Sequence, residues 1–320
     1  YEVVAEAFVP RDWAEILLDP VLWVRFPHML LGAYLTTAFC VAATGAWYLL
    51  RDRHLEEARV MLAMGLGIAA VLIPIQLGYG HLNGEYTAEH QPSKFTTIEG
   101  RWQTEQPARL LLLAWPDVEN ERNRFEIALP YLGSFVDQGN FSASEPGIVT
   151  VPPDERPPFL IPFYSFRIMV GLGLVMLAIA WGGSWRLVKT RNAQTLPRWF
   201  LWTTFLAWPS GFIAVLTGWF TAEVGRQPWA IYGLLRTADA VTPSLSTSAA
   251  LTSLSAYLIV YTLIFAAGTL YIYRMLREGP ADAAAESSRP PTTPSRPLAA
   301  AAKPLAGANA PPDGPTKGSS

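Results

Sequence analysis

Four side chains attract attention because of where they fall: His28, Arg167, Met169 and Glu223 lie in or at the ends of long apolar runs. Ionisable groups in such surroundings are costly and mark function by default. His28 is near the start of the first run. Arg167 is two residues before Met169 in the third, and Glu223 follows the fourth, one helical turn after Trp219. An imidazole and a thioether reaching into a bundle core from two helices suit an axial pair on a haem iron, giving a low-spin, electron-transferring centre. Arg167, beside the thioether, could neutralise a haem propionate and so gain the partner a buried charge needs. Plainer readings stay open at this level. A lone histidine near a helix end is more often an interfacial polar group, a membrane methionine usually packs, and Glu223 could be solvated. Only an arginine well inside a span resists a bland account. His81, Glu85, Glu89 and His90 have a spacing that could hold a metal, although loop histidines are mostly solvated.

The elements that would position these groups are membrane helices. A span needs roughly 20 apolar residues, and five runs meet that length: Phe26–Leu50, Val60–Tyr79, Phe159–Trp185, Trp199–Phe220 and Ala249–Tyr273. Each has aromatic residues near its ends, as an interfacial belt requires. Helix is the expected state, because a lipid-exposed backbone must satisfy its own hydrogen bonds. The predicted fold class is therefore an all-α membrane protein, a bundle of five transmembrane helices. Arg51, Arg53 and Arg59 follow the first run, Arg186, Lys189, Arg191 and Arg198 the third, and Arg274 and Arg277 the fifth. All three basic segments fall on one side, which the positive-inside rule makes cytoplasmic.

The expected organisation is an outer N-terminal segment 1–25, a helix pair 26–79, an outer loop 80–158, three helices within 159–278 and a tail 279–320. Within the outer loop, Pro92–Trp102 and Glu119–Leu132 are amphipathic enough to lie as short helices on the membrane surface. The Ala/Pro/Ser/Thr-rich tail lacks the apolar residues for a core and is expected to be disordered. Only 16% of residues are charged, against about 25% in soluble proteins, and the mean hydropathy is positive. A net charge of −2 excludes a strongly basic nucleic-acid binder. The single cysteine, Cys40, allows neither a disulfide framework nor a cysteine metal site. The chain opens on Tyr1 without signal-peptide features, so it is expected to begin in mid-protein.

The segment Gly218-Trp-Phe-Thr-Ala-Glu-Val-Gly-Arg-Gln-Pro-Trp229 resembles the signature of cytochrome bd quinol oxidase subunit I. Other segments resemble the same family in the same order. Phe26-Pro-His-Met29 after Arg25 is similar to the helix carrying the b-haem histidine, which ends near Ala46-Trp-Tyr-Leu49. Lys94-Phe-Thr-Thr-Ile-Glu-Gly-Arg-Trp102 is similar to the start of the quinol-binding loop, and Ser165-Phe-Arg-Ile-Met-Val-Gly-Leu-Gly173 to the helix carrying the methionine ligand. The likeness runs from about residue 10 to residue 280.

That resemblance implies a quinol:oxygen oxidoreductase in a bacterial plasma (inner) membrane, multi-pass, with the quinol loop facing outward. His28 and Met169 would ligate a low-spin haem b supported by Arg167, and Glu223 with Trp219 would serve a high-spin haem b, Glu223 as its axial ligand. Arg226 would sit by a propionate, and Lys94 and Glu99 would belong to the quinol site. The third position would hold haem d or a further haem b. The implied partners are subunit II, ubiquinol or menaquinol, oxygen and membrane lipid, with no nucleic acid. The family subunit has roughly nine spans, so the chain corresponds to its latter part, and its short outer loop with Glu89-His-Gln-Pro-Ser-Lys94 is closer to the cyanide-insensitive branch. Two competing readings are a haem-binding anchor without oxygen chemistry, which leaves Glu223 and the Gly-Arg-Gln-Pro-Trp turn without a role, and a proton-coupled transporter. The transporter predicts internal repeats or helices broken in mid-membrane.

Overall fold

The computed structural model describes residues 2–4, 7–9, 12–190, 196–242 and 244–279; the side chains before Val9 are outside that description. The expectation for the tail from residue 280 onward therefore lies outside the described residues. Two compact units divide the chain, residues 1–269 and 270–320. The described part of the second is a helical stretch to Glu278 followed by Gly279.

In the first unit, a small hairpin of Glu2–Val4 (β1) and Ala7–Val9 (β2) precedes a single helical turn, Trp13–Leu17 (α1). Pro20–Leu50 (α2) is started by Asp19, whose side chain accepts from the Val21 amide at 2.8 Å, with Pro20 in the first turn. Both features satisfy or remove an amide that has no helical partner. A tight turn with Asp52 and His54 at positive φ leads into Leu55–His90 (α3). Sequence hydropathy ends this span at Tyr79, but the helix runs eleven residues further. Polarity ends a span, whereas a helix ends where its backbone is stopped. Here the stop is Gln91, kept out of the helical region at φ −140° and ψ 61° ahead of Pro92. At 36 residues α3 is about 54 Å long, well beyond a hydrocarbon core of roughly 30 Å.

Pro92–Glu99 (α4) is the short helix expected there, closed by Gly100 at φ +77°. The second expected surface helix, Glu119–Leu132, is instead a turn and a strand. Leu110–Asp117 (β3) and Arg122–Leu129 (β4) pair antiparallel, with irregularities at Leu111/Leu113 and Leu113/Trp115. Asp117 closes the turn by accepting from the Asn120 side-chain amide at 3.0 Å and from Arg124. The apolar strand gave β4 a partner that outweighed the weak helical pattern of 119–132. Leu132–Gln138 (α5) follows, then two single 3₁₀ turns. Trp102, Leu111, Ile148, Phe159 and Phe163 form a core for this segment, with Trp102 stacked on Phe159 at 4.0 Å. The segment between α3 and the third span is thus a folded lid, and the first part of the expected loop, to His90, is the end of α3.

Leu160–Thr190 (α6) is the third span. The fourth is broken into Arg198–Leu206 (α7) and Ser210–Val224 (α8), where an uninterrupted helix was expected. Pro209 has no amide for the Phe205 carbonyl, which accepts from the Trp208 amide at 3.2 Å instead, and Ser210 satisfies the Ala207 carbonyl through its amide at 3.0 Å and its hydroxyl at 2.6 Å. A hairpin of Trp229–Ile231 (β5) and Leu235–Arg236 (β6) leads to Thr247–Glu278 (α9), which buries none of its residues. Among the described residues, five segments are long and apolar enough to cross a membrane, as expected. The bundle core joins Leu35, Phe39, Ala42 and Ala46 of α2 to Leu62, Leu66 and Ile73 of α3, with Met176, Ile179 and Ala180 of α6 and Phe200 of α7. Small residues bring α2 and α3 together: a Cβ on Gly45 would lie 2.7 Å from the Ala58 carbonyl, and one on Gly65 2.5 Å from that of Ala38. Membrane helices associate through such close approach.

Candidate functional site

His28 sits on α2 one residue after Pro27, half-buried against α3. Gln76 Nε2 stands 3.3 Å from His28 Nε2; with the Gln76 amide turned so that Oε1 faces the ring, Oε1 accepts from Nε2–H and the lone pair is left on Nδ1. His28 Nδ1 itself is buried with no hydrogen-bond partner among the described residues, and so is Gln76 Oε1. Buried polar atoms are rarely left unpaired without a reason. On α3, Gly80 keeps clear the space beside the ring; a Cβ there would be 3.4 Å from His28 Cε1.

Met169, on α6, has a matching arrangement. A Cβ on Gly218 of α8 would be 2.9 Å from its sulfur, so the thioether lies against bare backbone. The two arrangements face one another through Gly32, one turn after His28. A Cβ on Gly32 would be 3.5 Å from Val215 Cγ2, three residues before Gly218, and 3.9 Å from Gln76 Nε2. Three faces therefore converge: His28 and Gly32 on α2, Gln76 and Gly80 on α3, and Val215 and Gly218 on α8. An unpaired imidazole nitrogen and a thioether with clearance on a helical bundle are the donor set for a low-spin haem. The residues fit that group.

Arg167, expected beside a haem propionate, is held by backbone carbonyls. Its Nη1 donates to the carbonyls of Ile98 at 2.7 Å and Phe163 at 3.1 Å, and its Nη2 to those of Glu99 at 3.2 Å and Leu111 at 2.8 Å. Two of these are carbonyls at the end of α4 that have no helical partner. The guanidinium also lies 3.6 Å from the centre of the Phe163 ring. Arg167 fastens the lid to α6, and only its Nε is left buried without a partner among the described residues.

Lys94 and Glu99 are both buried in the lid, on different sides of α4, as a five-residue separation at 3.6 residues per turn dictates. Lys94 Nζ donates to the Ala222 carbonyl at 3.2 Å, near the end of α8. Burial lowers its pKa to about 8, with the charges of Arg25 and Arg226 adding and that of Glu223 opposing. Glu99 faces Arg101, whose Nη2 is 3.7 Å away and also holds Asp137, while Nη1 reaches Glu145 at 3.4 Å. All four side chains are less than 10% exposed. Burial pushes Glu99 up to about 7, helped by Asp137 and Glu145 and opposed by Arg101 and Arg167.

Glu223 and Arg226, expected in separate roles, pair with each other, and Arg226 Nε is buried without a partner among the described residues. Trp219 is 58% exposed, one turn before Glu223 on α8. His81 pairs with Glu85 at 3.3 Å, and His90 stacks on Tyr86 at 4.0 Å. Among the described residues, no three His, Cys, Asp or Glu side chains gather as a metal shell. The sequence reading missed Arg101, Asp137 and Glu145 as a group, and Gln76, Gly80 and Gly218 as the surroundings of the proposed ligands. The glycines carried a signal, since helix interiors disfavour them without a packing reason.

A family model described as cytochrome bd terminal oxidase subunit I matches residues 1–280. The cytochrome bd ubiquinol oxidase subunit 1 of Bacillus subtilis (strain 168) is 34% identical over 280 residues, covering 84% of this chain and 58% of that protein. A putative cytochrome bd menaquinol oxidase subunit I of the same organism is 30% identical, covering 84% and 60%. The cytochrome bd-II ubiquinol oxidase subunit 1 of Escherichia coli (strain K12) is 28% identical, covering 87% and 66%. Among solved structures, the bd oxidase from Geobacillus thermodenitrificans superposes with a TM-score of 0.77 at 28% identity, covering 87% of this chain and 63% of that one. The chain spans about three fifths of the length of the first two of these relatives.

Proposed function

Because the chain belongs to the family of cytochrome bd terminal oxidase subunit I, we propose that it carries the quinol-oxidising and haem-holding part of an electrogenic quinol:oxygen oxidoreductase. It would oxidise ubiquinol or menaquinol at the outer membrane face and serve the reduction of oxygen to water, together with a subunit II. His28 and Met169 would hold a low-spin haem b; Glu223, with Trp219 on the same helix face and Arg226 beside it, would serve a high-spin haem b. The third position would take haem d or a further haem b. When bound, these groups supply one-electron transfer and oxygen chemistry. The observation that carries the reading is His28 Nδ1, buried without a partner among the described residues, with the Met169 sulfur packed against Gly218 on α8, the helix that also meets α2 at Gly32.

The chain's own residues would do the remaining work. A base with a pKa near the working pH is best suited to take a proton, and Glu99 has that value because it is buried beside other carboxylates. Its carboxylate oxygen would accept a quinol hydroxyl proton. Lys94, mostly charged at neutral pH, would hold the lid to α8 and stabilise negative charge on a quinol oxygen. Arg167 keeps α4, and with it Glu99, in place over α6. We assign Arg167 that bracing role rather than contact with a propionate.

The protein is a multi-pass bacterial membrane protein. We place the lid outward in the plasma membrane, since the arginines after α2, around α7 and at the end of α9 would then all be cytoplasmic. The break between α7 and α8 does not favour a transporter, because no ionisable side chain lies at residues 207–210. A reduced-minus-oxidised spectrum of membranes carrying the full-length protein tests the assignment. His28→Ala and Met169→Leu should each abolish the low-spin b signal; a full-strength signal in both variants would refute the ligand pair.

A further inference from the structure

We propose that Asp137 and Glu145, gathered with Glu99 around Arg101, form the relay that takes the quinol proton onward from Glu99 towards the outer surface. This rests on the reading of Glu99 as the proton acceptor. The geometry argues against a purely structural ion pair. One carboxylate would satisfy one guanidinium, yet three share this one, drawn from α4, α5 and the loop after α5. With all three ionised the cluster would carry excess negative charge in a buried space, so a proton held among them lowers the cost. Glu145 is 3% exposed, and its Oε1 has no hydrogen-bond partner among the described residues, nor does Arg101 Nε. An acceptor-only oxygen left bare in this way is expensive, whereas a carboxyl that gains and loses a proton uses it.

The charged groups that meet there are few. Glu99 faces Arg101, Arg167, Asp137 and Glu145. Asp137 faces Arg101 and is also within the field of His81 on α3. Glu145 faces Arg101 and Asp137, with a contact from Gln138. Burial raises both Asp137 and Glu145, against the pull of Arg101. Of the three carboxylates, Asp137 is the one on which the charge of His81 acts, and His81 is half-exposed and paired with Glu85, so the exit of the relay is assigned to the Asp137 side.

The chemistry balances. Oxidation of one quinol breaks two O–H bonds and releases two electrons, which the haem chemistry of the proposed function accepts. The two protons leave one after the other, each forming an O–H bond on the Glu99 carboxylate. Transfer of the first to Asp137 or Glu145 breaks that bond and returns Glu99 to its basic form for the second, which follows the same way before the next turnover. Asp137 and Glu145 never touch the quinol; they act through Glu99.

The test uses the full-length enzyme with its partner subunit and haems. Infrared spectra of the wild type should show a protonated-carboxyl C=O band at neutral pH that weakens in Glu99→Gln. In Asp137→Asn and Glu145→Gln, removal of a neighbouring negative charge lets Glu99 ionise more readily. The acidic limb of the quinol-oxidation pH profile should then move down by about one pH unit, with KM for quinol unchanged. A role in folding alone would depress activity at every pH and leave the limb in place. Limbs that superimpose on the wild type in both variants, or no protonated-carboxyl band in the wild type, would overturn the relay. Undiminished turnover and affinity in Glu99→Gln would instead overturn the function assigned to Glu99, and the relay with it.

Discussion

At the scale of single residues, the haem assignment depends on empty volume as much as on donor atoms. The Met169 sulfur can lie where it does because Gly218 has no side chain. Gly218→Ala should therefore push the thioether away and convert low-spin b signal to high-spin, while Gly182→Ala on α6, where a Cβ meets nothing within 4 Å, leaves the spectrum unchanged. Equal spectra for the two variants would mean that the clearance at Gly218 has no bearing on ligation. His28 and Met169 were candidates from the sequence because a histidine in an apolar run is rare and because its surroundings resemble a known pattern. Asp137 and Glu145 were not. They lie 36 and 44 positions from Arg101 in a loop rich in charge, where an isolated carboxylate is indistinguishable from a solvated one until the chain has folded. Arg167 was legible as functional but not as to partner, because a guanidinium serves a propionate and four carbonyls equally well.

At the scale of elements, the α2–α3 pair carries the histidine and its surroundings, and the pair is set by glycines that differ in what they face. Gly65→Ala drives a methyl into the Ala38 carbonyl and the Ala42 backbone, so α2 and α3 must separate. Overpacking of this kind costs about 1–3 kcal/mol. Gly67→Ala, two residues on and in open space, should be neutral or better, since alanine is favoured in helices by about 1 kcal/mol. Thermal inactivation of the assembled enzyme checks the contrast, and equal Tm values would count against the described contact. Hydropathy located all five spans, because membrane helices must hide their backbone over a fixed length. It could not see where α3 stops, because Gly80–His90 is polar yet helical until Pro92 intervenes. It also averaged over Pro209, so the break between α7 and α8 was hidden inside an apolar run. The β3–β4 hairpin was missed because strand pairing depends on a partner more than on a strand's own residues.

At the scale of the whole molecule, orientation can be checked directly. With the lid outward, a membrane-impermeant thiol reagent applied to intact cells should label Ser142→Cys, which is exposed in the lid, and should not label Asp52→Cys in the turn between α2 and α3. The reverse pattern would invert the topology. The arginine distribution is what the proposed orientation rests on, but no sequence pattern announced that the segment between α3 and α6 has its own core. The grip of Arg167 on that segment has a further consequence. Lifting that segment away would leave the cation with only the Phe163 carbonyl of its own helix, at a cost of about 3–5 kcal/mol. On the proposed function the segment would then be a fixed roof and not a door, and a lipid-soluble reductant would come and go sideways, along the eaves, from the bilayer itself.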